Sequence, residues 1–304
     1  MLENLMTTMS QIVKKFKMQI RFSDYLELTK PRVTLMVLIT MLFGFYLGLR
    51  GEMDWVLLLH ALLGTALVAG GTSALNQYLE RDIDAKMLRT KNRPLPAGRL
   101  QPIEALAFSV TISVVGLVHL LIMVNWLTAL LAAATLSSYV FLYTPLKQKN
   151  SLSTIVGAIP GALPPLGGWT AARNELSLEG WILFFILFIW QLPHFLAIAW
   201  IYREDYLRGG LPMLTVVDPE GDSAGRQIIS NCLALLPVSL LPTIVGMAGR
   251  IYFVGALALS LFFLACGIAV MRHRSNVSVR RLLRASLLYL PVLFALMALD
   301  KTTF

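Results

Sequence analysis

Nine apolar segments alternate with short polar segments along the chain. Each is close to the roughly 20 residues that a helix needs to cross a bilayer. The pattern predicts an all-α membrane bundle of about nine transmembrane helices. Two of the boundaries are marked only by short polar breaks, at 125–126 and at 249–250. The predicted spans are 33–49, 55–78, 103–123, 125–144, 152–171, 181–201, 229–247, 251–271 and 284–300.

Composition supports a polytopic membrane protein. Of the 304 residues, 57% are hydrophobic and only 14% are charged, whereas soluble domains carry about 25% charged residues. No polar linker interrupts the apolar segments, so residues 1–304 are predicted to form a single domain. The net charge of +9 fits basic cytoplasmic loops better than a nucleic-acid partner. Cys232 and Cys266 lie inside apolar segments and are predicted to be packing residues.

The N-terminal segment 1–31 is polar and basic, and it lacks an apolar core followed by a cleavage site, so no cleaved signal peptide is predicted. Residues 18–29 predict an interfacial helix. If this segment is cytoplasmic, only 4 of the 26 lysines and arginines lie in loops or tails on the outer side of the membrane. The positive-inside rule therefore predicts a cytoplasmic N-terminus. The loops that it places on the cytoplasmic side are 79–102, 145–151, 202–228 and 272–283.

A stripe of polar side chains marks the end of the second span. Asn76, Glu80 and Asp84 recur at every fourth residue, and each such step on a helix turns about 40°, so the three share one face. Asp82 falls on the opposite face. Carboxylate and amide oxygens suit Mg²⁺, which takes one or two carboxylates together with phosphate oxygens. The stripe predicts a site for a metal ion and an anion, with a solvated helix end as the alternative.

Basic residues accompany this stripe. Lys86, Arg89 and Arg93 follow it directly, and Lys147 lies in another loop of the same predicted face. Arginine and lysine donate hydrogen bonds to phosphate oxygens, so these four residues predict a site that holds a departing diphosphate. Asp205, after the sixth span, is predicted to bind a second metal ion, with a charged loop as the alternative.

Histidines and a proline-rich span predict where a large flat ligand could bind. His194 follows Pro193 in the sixth span and could carry a proton or ligate a metal or haem iron, although a lone membrane histidine is more often only hydrogen-bonded. His60 and His119 are weaker candidates. The fifth span is rich in proline and glycine, which predicts a kinked or partly broken helix that is buried or lines a cavity.

These features resemble the UbiA superfamily of intramembrane prenyltransferases. That family carries N-x-x-x-D-x-x-x-D after its second span, and this chain reads Asn76-x-x-x-Glu80-x-x-x-Asp84. The family's second motif, D-x-x-x-D after the sixth span, is absent here. Its neighbourhood retains only Glu204 and Asp205. Over residues 22–300 the chain is similar to the branch that farnesylates protohaem. The segments that carry this likeness are 29–32, 80–87, 93–96, 143–147, 160–169 and 190–195.

The resemblance implies an enzyme that transfers a farnesyl group from farnesyl diphosphate to a vinyl group of protohaem IX (haem B). Water adds in the same reaction, and haem O and diphosphate are the products. Asn76, Glu80 and Asp84 would hold Mg²⁺, and Glu80, Asp84 and His194 would be catalytic. The residues assigned to the diphosphate are Lys86, Arg89, Arg93 and Lys147. Those assigned to the haem pocket are Tyr143, Pro164, Trp190 and His194.

Two other classes of function stay open in the sequence. One is a UbiA-type enzyme that prenylates another acceptor, such as a benzoate or a quinone precursor. The other is a transporter or a haem-binding membrane protein without catalysis. The short N-terminal segment without a transit peptide favours a bacterial inner membrane, and the basic loops predict an active site on the cytoplasmic side. The resemblance also implies haem A synthase or terminal-oxidase assembly as partners.

Overall fold

The computed structural model describes residues 21–302, and its long elements are all helices. Residues 21–28 are helical, which agrees with the described part of the predicted interfacial helix. Residues 1–20 of the predicted N-terminal segment lie outside the described range. Nine long helices follow where the apolar segments predict them. They are α1 (Pro31–Gly48), α2 (Trp55–Asp84), α3 (Pro102–Met123), α4 (Trp126–Leu146), α5 (Ser153–Arg173), α6 (Leu178–Ile201), α7 (Asp222–Ile244), α8 (Arg250–His273) and α9 (Asn276–Leu299).

Eight of these nine helices are long and apolar enough to cross a membrane, which confirms the helical membrane bundle. The exception is α5, which contains Pro160, Pro164 and Pro165 yet is one continuous helix. Fifteen of its 21 residues are buried, so protein surrounds it and it needs no apolar surface toward lipid. The exact number of spans and the cytoplasmic N-terminus stay predictions.

Helices α1 and α5 pack with their backbones almost in contact. A Cβ atom on Gly44 would lie 1.9 Å from the carbonyl oxygen of Pro165, and one on Gly168 would lie 2.0 Å from that of Met41. Small residues permit such close approach between membrane helices. The glycines of the fifth span therefore serve helix packing at this contact.

Replacing Gly168 by alanine is expected to destabilise the fold by about 1–3 kcal/mol, the usual cost of overpacking. Gly167 is the matched control, because no atom lies within 4 Å of where its Cβ would be. Gly167→Ala is expected to keep or raise stability, since alanine favours helix more than glycine does. Thermal unfolding midpoints in detergent compare the two variants, and equal midpoints would contradict the close α1–α5 contact.

Helix α2 positions the candidate site. Its 30 residues extend about 45 Å, whereas the hydrocarbon core of a bilayer is about 30 Å thick. Asp54 caps the start of the helix by accepting a hydrogen bond from the Leu57 N–H at 2.9 Å. The last turns therefore project beyond the hydrocarbon, and they carry Asn76, Glu80 and Asp84 to the membrane edge.

Helix α4 contains a π-helical turn, Ser138–Tyr143, that ends just before Pro145. The backbone N–H of Thr144 donates to the carbonyl of Tyr139, five residues earlier, and its hydroxyl donates to the same oxygen at 2.9 Å. Turns of this kind frequently occur at functional sites. Here the turn brings the rings of Tyr139 and Tyr143 to a centroid distance of 5.0 Å.

The C-terminal helices α6–α9 contribute most of the larger apolar core. At its centre the hydroxyl of Tyr289 shares hydrogen bonds with those of Ser239 and Ser260, at 2.7 and 2.9 Å. Both cysteines are free. Cys232 is buried and Cys266 is half-buried.

Candidate active site

The polar stripe of α2 is buried. Asn76, Glu80 and Asp84 have relative exposures of 2%, 3% and 0%. The structure thus brings the three predicted residues together on one face, away from solvent. Because an unpaired buried charge is costly, such residues need partners. The alternative of a solvated helix end does not describe this arrangement.

Two of the predicted basic residues are the partners of the carboxylates. The ammonium group of Lys147 donates to both oxygens of Glu80 at 3.1 Å. The Arg93 guanidinium donates to Oδ2 of Asp84 at 2.6 Å. These contacts join the end of α2 to the loop after α2 and to the loop after α4.

A third basic residue, Lys30, was not singled out from the sequence. Its ammonium group donates to Oδ1 of Asn76 at 2.8 Å, and the Asn76 amide donates to the Thr144 hydroxyl at 3.3 Å. Lys30 has a left-handed backbone conformation, with φ of 48°, which is uncommon for a lysine. The feature of the sequence that could have indicated Lys30 is its position directly before Pro31, at the entry to the first span.

The site holds more basic than acidic side chains. Lys30, Arg93 and Lys147 surround the carboxylates of Glu80 and Asp84. Burial, together with repulsion from Arg93, lowers the pKa of Lys30 to about 7. Burial also lowers the pKa of Lys147, but the groups around it, led by the Glu80 carboxylate, together outweigh burial and raise this pKa. An additional anion in this site would offset the excess positive charge.

The loop that carries Arg93 is fixed by Arg99. The Arg99 guanidinium forms an ion pair with Asp24 and donates to Glu27 at 2.7 Å, both in the helical residues 21–28. It also donates to the carbonyl of Asn92 at 2.8 Å. These contacts hold the basic loop against the helix that leads into Lys30, and so keep Arg93 beside the stripe.

One oxygen of the stripe has no partner. Asp84 Oδ1 is buried and accepts no hydrogen bond from the described residues. Residues 21–302 contain no group of three or more His, Cys, Asp or Glu that could hold a metal ion by itself. A metal ion here would need oxygens from a ligand as well, which is how Mg²⁺ commonly binds beside phosphates. The Asn76, Glu80 and Asp84 oxygens fit that requirement.

An apolar cavity of about 320 Å³ opens beside the stripe, between α1, α2, α4 and α5. Lys30 and Tyr143 line the end next to the stripe. Met41 lines the cavity 11 residues after Lys30, so the cavity extends about 15 Å from the end next to the stripe. Gly167 of α5 also lines this deep end. Tyr143 and Pro164, two of the predicted haem-pocket residues, both line this cavity.

Two predicted diphosphate ligands lie apart from the carboxylates. Lys86 and Arg89 are exposed, and among the described residues no hydrogen bond or ion pair joins either side chain to Glu80 or Asp84. The Arg89 guanidinium instead lies over the Tyr202 ring, 5.0 Å from its centroid. The structure thus brings Arg93 and Lys147 to the stripe but not Lys86 or Arg89.

The histidines also lie apart from the stripe. His194 stacks on Trp190, at a centroid distance of 5.2 Å. Its Nδ1 is 2.8 Å from the hydroxyl of Ser286 on α9, and the Trp190 indole donates to the Ser286 carbonyl at 3.0 Å. Trp190 and His194, the other two predicted haem-pocket residues, are not among the residues that line the cavity. His60 and His119 contact each other at 3.2 Å between α2 and α3.

Asp205 anchors the loop that follows α2. Its oxygens accept hydrogen bonds from the backbone N–H groups of Leu88 and Arg89 at 3.1 and 3.3 Å. The Arg208 guanidinium donates to it at 2.9 Å. These hydrogen bonds hold the loop in place. The role of Asp205 as a ligand of a second metal ion stays a prediction.

Buried carboxylates, basic partners and an adjoining apolar cavity define a membrane enzyme that handles an amphiphilic anion. The chain belongs to the UbiA prenyltransferase family, whose model matches residues 37–293. It is 51% identical over 287 residues to the protoheme IX farnesyltransferase of Solibacter usitatus. That alignment covers 91% of this chain and 98% of the relative. The predicted family and enzyme class are confirmed.

Solved structures share the fold. A digeranylgeranylglyceryl phosphate synthase structure superposes with a TM-score of 0.79 at 16% identity, over 92% of this chain and 98% of that chain. A UbiA homologue from Archaeoglobus fulgidus bound to DMAPP and Mg²⁺ gives a TM-score of 0.58 at 18% identity, over 90% of this chain and 99% of that chain. At these identities the likeness establishes the fold alone.

Proposed function

We propose that this chain transfers a farnesyl group from farnesyl diphosphate to a vinyl group of protohaem IX, with addition of water, to give haem O and diphosphate. The observation that carries the proposal is the buried stripe of α2, which meets three basic side chains. One of them, Lys30, also lines the end of the apolar cavity. The donor and acceptor follow the name of the relative from Solibacter usitatus. A transporter would not need a site that combines carboxylates for a metal ion with basic side chains for a departing diphosphate.

The polar end of the site would bind the diphosphate. Asn76, Glu80 and Asp84 would hold Mg²⁺, and the unpartnered Oδ1 of Asp84 is free to do so. Bound Mg²⁺ would neutralise charge that develops on the leaving diphosphate. Arg93 and Lys147 can donate to phosphate oxygens and stabilise the same charge. The Mg²⁺ bound to the Archaeoglobus fulgidus homologue supports Mg²⁺ as the metal.

The apolar end would hold the farnesyl chain and exclude water. The allylic C–O bond breaks as diphosphate leaves, and premature water would capture the resulting cation. The rings of Tyr139 and Tyr143, tilted against each other, line the cavity, and aromatic faces attract cations. The terminal vinyl carbon of haem then bonds to C1 of the farnesyl group, and water adds to the adjacent carbon with loss of a proton.

Location and partners extend the proposal. The excess of basic residues on one face supports a cytoplasmic N-terminus and a cytoplasmic active site in a bacterial inner membrane. Haem O is apolar and membrane-bound, so direct transfer to haem A synthase or to a terminal oxidase during assembly is the partner relation that we expect.

Incubation of the purified protein with haem B, farnesyl diphosphate and Mg²⁺ tests the function. The expected product is a haem heavier by a farnesyl group plus water, detected by chromatography and mass spectrometry and lost with EDTA. A benzoate or quinone precursor supplied in competition separates the other UbiA-type activity. Prenylation of that acceptor alone would overturn the haem assignment, and diphosphate release from neither mixture would overturn the enzyme assignment.

Asp205→Asn is expected to raise KM for farnesyl diphosphate about tenfold, because the loop carrying the basic residues loses charge-assisted hydrogen bonds. The Mg²⁺ concentration for half-maximal rate is expected to stay unchanged. Glu204→Gln is the control, since that side chain is 88% exposed. A tenfold higher Mg²⁺ requirement in Asp205→Asn would instead support its role as a metal ligand.

A further inference from the structure

A second groove lies between α8 and α9 and shares no residue with the catalytic cavity. Its volume is about 470 Å³, and apolar side chains form most of its surface. Two guanidinium groups, those of Arg281 and Arg284, line the same groove. Its other lining residues are Phe262, Ala265, Cys266, Ala269, Ala285 and Leu288.

The groove is polar at one end and apolar at the other. Because α8 and α9 are consecutive and antiparallel, Arg281 lies near the level of Ala269, and Leu288 lies near the level of Phe262. The eight residues from Arg281 to Leu288 span about 10 Å. Phe262 and Leu288 are half exposed. The basic end is therefore nearer the α8–α9 connection, and the apolar end lies deeper along the helices.

The charge at the basic end is not compensated within the described protein. Arg281 and Arg284 are exposed, and neither forms a hydrogen bond or an ion pair with any residue between 21 and 302. The nine predicted spans alternate in direction, which would place the α8–α9 connection on the same membrane face as the end of α2. A basic pocket between membrane helices at this level is suited to an anionic lipid headgroup.

We propose that this groove binds one anionic phospholipid. Arg281 and Arg284 donate to its phosphate, and an acyl chain lies along Phe262 and Leu288 toward the membrane interior. The groove is basic near the membrane surface and apolar toward the membrane interior. A phospholipid in the adjoining leaflet has its charged headgroup and its acyl chains in the same order. A second copy of the chain fits less well, because a symmetric contact here would bring the arginines of two strongly basic proteins together.

Native mass spectrometry in a neutral detergent tests the proposal with phosphatidylglycerol, phosphatidylcholine and glycerol 3-phosphate as separate probes. Phosphatidylglycerol is expected to bind wild type at least tenfold more tightly than phosphatidylcholine. The double variant Arg281→Gln with Arg284→Gln is expected to bind it roughly 30-fold more weakly. The control removes the same charge outside the groove, through Arg272→Gln with Arg280→Gln, and is expected to bind normally.

A groove-filling variant keeps the charges and tests the apolar part. Ala265 is exposed in the groove, so Ala265→Trp is expected to fold and to reduce phosphatidylglycerol binding. Equal weakening in both double variants, or equal binding of the two lipids, would overturn the proposal. So would glycerol 3-phosphate binding as tightly as the lipid, a lipid-free dimer that is lost in Ala265→Trp, or haem B displacing the lipid from this site.

Discussion

Replacing Asp84 by asparagine is expected to lower the turnover of farnesyl diphosphate roughly 10³-fold while the protein still folds and inserts. Asparagine keeps the shape of the side chain and can still accept the hydrogen bond from Arg93. It removes the negative charge from an oxygen that has no partner in the described protein. Mg²⁺ and the charge on the leaving diphosphate would then be held less strongly. Single-turnover rates at saturating Mg²⁺ give the size of the effect.

Asp82→Asn is the matched control for this loss. It lies on the same helix two residues earlier, and its side chain is 85% exposed. The same chemical change there is expected to leave the rate within about twofold of wild type, since surface substitutions have small effects. If Asp84→Asn, Glu80→Gln and their double variant all kept wild-type rates, the assignment of the stripe to Mg²⁺ would be wrong.

Replacing Gly167 by leucine is expected to change which prenyl diphosphate the enzyme prefers. Gly167 lines the deep end of the cavity, and the space beside it is open for at least 4 Å. A leucine there would occupy room that the last isoprene unit of a farnesyl chain needs. The expected result is a kcat/KM for farnesyl diphosphate roughly 100-fold lower, with geranyl diphosphate nearly unaffected.

The smaller substitution Gly167→Ala gives the graded comparison, with a loss for farnesyl diphosphate of a few-fold at most. Thermal unfolding midpoints of both variants establish that the fold is kept. An equal loss for both donors in Gly167→Leu would contradict the assignment of this cavity to the prenyl chain. It would point to a general effect on the packing of α5.

The sequence predicted the helices and the stripe because both follow from periodicity. Asn76, Glu80 and Asp84 share a face on any straight helix, so their meeting required no knowledge of the tertiary fold. Arg93 lies only nine residues beyond Asp84, and a loop that returns to the helix end brings them together. Lys147 was predictable because its loop lies on the same predicted membrane face as the stripe.

Other positions depend on packing that periodicity does not contain. Whether His194 faces the cavity or α9 depends on the rotation of α6, which a nearly all-apolar helix does not reveal. The loop contacts of Asp205 also depend on packing. They require the backbone N–H groups of Leu88 and Arg89, which lie more than 100 residues earlier in the chain.

The contact of Lys30 with the stripe also depends on tertiary packing and could not be predicted from the sequence pattern. A lysine at the entry to a first span is common in membrane proteins and is readily explained by topology. Only the packing of residues 21–30 against α2 brings its ammonium group to Asn76. The Gln77 amide, which donates to the carbonyl of Leu28 at 3.0 Å, supports that packing.

The most direct test of the account is electron paramagnetic resonance of Mn²⁺, used in place of Mg²⁺, with an unreactive thio analogue of farnesyl diphosphate. Wild-type protein is expected to bind Mn²⁺ tightly only when the analogue is present, with phosphorus hyperfine coupling from its diphosphate. Asp84→Asn is expected to lose this signal, and Asp82→Asn to keep it. Coupling of equal strength in wild type and in the Asp84→Asn, Glu80→Gln double variant would contradict the account, because the metal would then be held elsewhere.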